Sequence, residues 1–138
     1  MAYEDTTMSG FVIQQEIIVP AGEYPARVAD VSEYIVRGRL ASLREVYLRW
    51  EFRIDGRATP AAVIGWTRPR FARGGRLYSW VRAALGGGEI APDYAVNTAD
   101  MTGRRVRVQV QVVQDAKTGE PRNRIAAVLP WPTGQEGA

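Results

Sequence analysis

The clearest order in the chain is an alternation over ten residues from Val46 to Asp55. Val46, Leu48, Trp50, Phe52 and Ile54 are apolar, and Tyr47, Arg49, Glu51, Arg53 and Asp55 fall between them. A period of two predicts a strand with one face in a core and the other towards water. A second alternation, Val106, Val108, Val110 and Val112 against Arg105, Arg107, Gln109 and Gln111, predicts another strand over Arg104–Asp115. Between Glu23 and Ile35 the apolar positions change parity. Tyr24, Ala26 and Val28 share one phase and Val31 and Ile35 the other, which predicts a strand carrying a β-bulge near Ala29-Asp30. Ala61–Trp66 and Arg122–Leu129 complete a set of five strands. One segment has helical spacing instead: Leu77, Val81, Ala84 and Leu85 make a stripe over Leu77–Leu85, stopped by Gly86-Gly87-Gly88.

The connections fit these elements. Arg37–Ser42 reads as a loop, Asp55-Gly56 as a turn, Thr67–Gly75 as an Arg-rich loop, and Lys117–Glu120 as the turn of a last hairpin ended by Pro130 and Pro132. Residues 1–10 read as a loose leader, 11–130 as one domain, and 131–138 as a short tail. Phe11–Ile13 and Ile17–Val19 are short β-favouring pieces ahead of the first long strand. Three strands, a helix and a hairpin predict a mostly β fold, a five-stranded OB-fold Greek-key barrel with one capping helix between strands 3 and 4. Closure would hide the edges of so small a sheet.

Composition narrows the chemistry. The chain has no Cys and no His, which excludes thiolate nucleophiles, imidazole acid–base catalysis and His or Cys metal ligation. No pair of Asp residues has a spacing that metal chemistry demands, and Gly86-Gly87-Gly88 lacks the Lys and Ser or Thr of a phosphate-cradling loop. An enzyme and a resident cofactor are therefore not expected. No apolar run reaches the roughly 18 residues of a membrane span, and the first residues lack a secretory pattern. The expected location is the cytoplasm.

Net charge is only +3, but it is unevenly spread. Val36–Arg82 holds eleven Arg against Glu45, Glu51 and Asp55, and Gly56–Gly88 holds six Arg and no acid. A segregated positive field attracts polyanions. Seventeen of the eighteen basic residues are Arg, which clamps phosphate and stacks on rings. Tyr47 with Arg49 and Arg53 on the same solvated strand face has the makings of a stacking platform with phosphate clamps. Trp66, Arg68, Arg70, Phe71, Arg73 and Arg76 interleave rings and cations in and beside the Arg-rich loop. Arg37 and Arg39 in the first loop and Arg105 and Arg107 on the fourth strand are further candidate contacts. Trp66 is open to two roles, core or binding surface, whereas Trp50, Phe52 and Trp80 are expected in the core.

Three segments resemble a family of small bacteriophage and prophage proteins regarded as single-stranded DNA-binding proteins of the OB type. They are Val19-Pro20-Ala21-Gly22-Glu23-Tyr24-Pro25-Ala26-Arg27-Val28, then Leu48–Ile54 ending at Asp55-Gly56, then Gly103–Val108 followed by Gly119–Ile125. The resemblance implies binding of single-stranded DNA in phage-type replication or recombination, with proteins of those processes as partners. The aromatic and Arg contacts, which read stacking and phosphate, extend the expectation to RNA. A homodimer is expected as well, because one OB domain covers only a few nucleotides and pairing sites adds avidity. The other readings are a structural or adaptor β-domain and a metal-dependent nuclease.

Overall fold

The computed structural model describes residues 18–37, 44–57 and 60–132. Five strands run in the order β1 (Gly22–Arg37), β2 (Arg44–Ile54), β3 (Ala61–Thr67), β4 (Arg105–Gln114) and β5 (Pro121–Pro130). A helix, α1 (Arg76–Ala84), and a single 3-10 turn at Thr98–Asp100 lie between β3 and β4. All pairings are antiparallel, and the sheet order is β3-β2-β1-β4-β5. β1 is the shared strand: Gly22–Arg27 pair with β4 and Ala26–Arg37 with β2.

The bulge lies where the parity change places it. The β1–β2 register slips between Val28 and Asp30, leaving Ala29 as the extra residue. Ala26 and Val28 before it, and Val31 after it, are consequently all buried. Leu48, Trp50, Phe52 and Ile54 of β2, Val63 of β3 and Val106, Val108 and Val110 of β4 fill the same inner face.

Leu77, Trp80, Val81, Ala83 and Ala84 of α1 are buried against this face. Trp80 meets Trp50 and Phe52 edge-on, with ring centroids 5.4 and 5.7 Å apart. Trp80 has room because β3 has Gly65 beneath it. A Cβ at Gly65 would stand 2.6 Å from the Trp80 ring and 3.1 Å from Ile125 Cγ1. That second distance shows the sheet's curl: its two edge strands, β3 and β5, come close with no ladder between them.

Two inward assignments are corrected. Ile35 is 56% exposed and Val112 is 43% exposed. Ile35 has the inner parity, but β3 reaches β2 only as far as Leu48, so nothing in the sheet covers the inner face beyond it. Val112 lies past the end of the β1–β4 ladder, whose last pair is Gly22–Val110. Arg37 is the last residue of β1 and does not begin a loop. Thr67, expected in a loop, closes β3 and is buried, accepting a 3.0 Å hydrogen bond from Trp50 Nε1. The pieces before Ile18, Arg39 and the tail from residue 133 lie outside the described residues. No helix among those described is long and apolar enough to cross a membrane.

Candidate nucleic-acid interface

The outer face of β1–β2–β3 carries an aromatic group at one end. The register sets Tyr34 opposite Tyr47 and Arg49 opposite Trp66. The Trp66 ring lies 5.2 Å from Tyr34 and 6.3 Å from Tyr47, both edge-on. Trp66 is 39% exposed and Tyr34 50% exposed, so Trp66 belongs to the surface and not to the core. Tyr47 is more covered. The Arg68 guanidinium sits 4.6 Å above its ring, and its hydroxyl donates to Glu45 at 3.1 Å. Arg68 also pairs with Glu45 at 3.8 Å. Edge-on packing and a covering cation fix the tilt of these rings, and Trp66 and Tyr34 keep part of their surface exposed.

Two clefts meet at this patch. One, of about 600 Å³, lies between Tyr47, Trp66 and the loop carrying Arg68, Arg70 and Arg73. The other, of about 510 Å³, follows the gap between β3 and β5 and is lined by Arg49, Arg76, Arg122 and Arg124. Trp66 and Arg76 belong to both. Among the described residues no Asp or Glu lines either cleft. Three acids touch lining residues: Glu45, 3.1 Å from the Tyr47 hydroxyl and 3.8 Å from Arg68, Glu51, 3.5 Å from Arg49, and Asp115, 3.8 Å from Arg122. Among the described residues, Arg53, Arg70 and Arg124 have no carboxylate partner.

Phe71, Arg105 and Arg107 line neither cleft, and Arg73 and Arg76 reach theirs from above rings of α1. Phe71 is half-buried against Tyr78 and Tyr94, 5.1 and 6.3 Å between centroids, and packs on the core. Tyr94 is itself tied to Asp100 by a 2.8 Å hydrogen bond, and burial pushes its phenol up. Arg73 lies over Tyr78 and Arg76 over Trp80, 5.6 and 5.7 Å from the ring centres. Arg107 is bound to Glu23 at 3.0 Å and to the Pro130 carbonyl, and Arg105 stacks on Trp131 at 3.9 Å. Both lie on β4, whose ladder partners are β1 and β5, away from Trp66. Arg37 is placed by its backbone alone.

Three residues of the patch and clefts escaped the sequence reading: Tyr34, Arg122 and Arg124. Counting two by two from the bulge puts Ser32 and Tyr34 outward, so Tyr34 was legible. The two Arg were not, because only the curl of the sheet carries β5 to β3. Asn123 between them is occupied structurally. Its amide accepts from Val19 N–H and donates to Val19 C=O, both at 2.9 Å, holding the buried Val19 against the hairpin.

Among the described residues no three acids come together in a way that could hold a metal ion. The chain matches no family model and no curated protein in sequence.

Proposed function

We propose that this domain binds single-stranded DNA, and RNA through the same contacts, with little sequence preference. The observation that carries the reading is the pair of clefts that meet at the exposed ring of Trp66, beside Tyr34, with no Asp or Glu in their lining among the described residues. Together they hold seven Arg: Arg49, Arg68, Arg70, Arg73, Arg76, Arg122 and Arg124. Rings of this kind stack on any base, and guanidinium groups grip phosphate, so neither reads sequence. Paired bases cannot stack on a protein ring without leaving their own stack, which favours single strands over duplex.

The sheet order, the long bulged β1 and a helix between β3 and β4 support an OB-type Greek-key barrel, with α1 closing one end. In that architecture the face of β2 and β3 is the binding surface, and Tyr47 and Trp66 lie on it. The resemblance to phage single-stranded DNA-binding proteins supports a role in replication or recombination. A structural or adaptor domain is the second reading, favoured by the exposed apolar side chains of Ile35, Val36 and Val112.

Fluorescence anisotropy with labelled oligo-dT, single-stranded and duplex, at two salt concentrations and with Mg²⁺ present, tests the proposal. Tight binding of the intact single strand, weakening steeply with salt, is expected. Equal binding of duplex, or no binding at ten-micromolar protein (~10 μM, the middle of the ordinary range of non-specific affinities), would favour the structural reading. Cleavage of the oligonucleotide would favour a nuclease.

A further inference from the structure

The outer face of the sheet is not uniformly basic. Across β1, β2 and β3 the registers give successive rungs. Ser32, Arg49 and Trp66 form one; Asp30, Glu51 and Ile64 the next; Ala62 lies beside Arg53 and Arg27 in the fourth position along β2 from Arg49. Two carboxylates, Asp30 and Glu51, therefore stand side by side between the aromatic patch and Arg53. Glu51 is held to Arg49 at 3.5 Å, and Asp30 is in no ion pair among the described residues. A polyanion laid lengthwise along β2 from Trp66 to Arg53 would cross both acids, and like charges at such range repel.

Sideways from Trp66, no Asp or Glu among the described residues lines the way. The β3–β5 cleft opens from the same ring, its wall holds Arg76, Arg122 and Arg124, and neither edge strand has a ladder partner on that side. Its volume of about 510 Å³ lies within the ordinary range of ligand pockets. Arg124 is exposed and has no carboxylate partner among the described residues, while Arg122 shares its charge with Asp115 at 3.8 Å.

We propose that the bound strand turns off the Trp66 patch into the cleft between β3 and β5, where Arg122 and Arg124 take backbone phosphates, instead of continuing over Arg53. The proposal rests on the single-strand-binding reading above. It makes β5 part of the interface and leaves Arg53 outside it.

The test compares oligo-dT binding by the full chain, by R122A/R124A and by R53A across a salt series. Each phosphate contact on a single strand contributes about 0.7 to the slope of log K against log salt. The double variant should therefore flatten the slope by about 1.4, and R53A should leave it unchanged. Thermal melting followed by circular dichroism shows whether each variant is folded. Photo-cross-linking of the unsubstituted protein to 4-thiothymidine oligonucleotide gives a second reading, with adducts expected on Trp66 and on residues 122–125. A wild-type slope retained by R122A/R124A, or adducts on the Arg27–Arg53 rung and none on β5, would overturn the path while leaving single-strand binding intact. Failure of the unsubstituted protein to bind would overturn both.

Discussion

Gly65 shows how one missing side chain sets the geometry of the interface. Its lack of a Cβ lets the Trp80 ring lie on β3 and lets β5 approach through Ile125. Trp66, the next residue, points the opposite way and forms the open ring of the surface. Gly65→Ala should therefore cost about 1–3 kcal/mol, the usual range for overpacking a filled core. It should also disturb the cleft that Trp66 borders. Urea denaturation reads the first effect, and an unchanged midpoint would show that the ring can move aside freely. Trp66 itself was ambiguous in the sequence because it ends a strand of mixed burial. Parity decides it once Val63 and Thr67 are both seen to be buried.

At the level of elements, alternation carried most of the fold. β2 and β4 are legible because their inner positions are uninterrupted, and β1 because a single bulge accounts for its change of phase. What alternation does not encode is where a neighbouring strand stops. Ile35 and Val112 keep the inner parity yet extend past β3 and β1. The β4–β5 turn was legible for a local reason. Asp115 accepts from the N–H groups of Lys117 and Thr118 at 2.8 and 3.1 Å, and Gly119 takes the positive φ of 75° that closes the turn. Those two N–H groups hold the Asp115 carboxyl below its ordinary value. With its pKa depressed by folding, the contribution is fully present above the unfolded value of about 3.9. It is lost as pH falls through the lower, folded value. An NMR titration of the Lys117 and Thr118 amides should show a midpoint below about 3.9, and a midpoint at or above that would remove the contact from solution.

Across the whole molecule, the sequence shows that Arg is concentrated between Val36 and Arg82 but not where that charge goes. Folding divides it. Arg105 and Arg107, outside that stretch, become tied to Trp131 and Glu23, Arg53 is separated from Trp66 by Asp30 and Glu51, and Arg122 and Arg124 arrive from the other end of the chain. The cleft between β3 and β5 is a product of sheet curvature, a long-range property that no local pattern contains. Binding at their junction has a direct optical signature. Of the four Trp, Trp50 and Trp80 are buried and Trp66 is the one exposed among the described residues, with Trp131 half-buried under Arg105. A base stacked on Trp66 should quench intrinsic fluorescence as oligo-dT is added, with the same saturation point as anisotropy. Trp66→Phe keeps a stacking ring, so it should retain most of the binding and lose the quench. Saturating oligo-dT that leaves wild-type fluorescence unchanged, or a quench fully retained by Trp66→Phe, would contradict the placement of the strand on this ring.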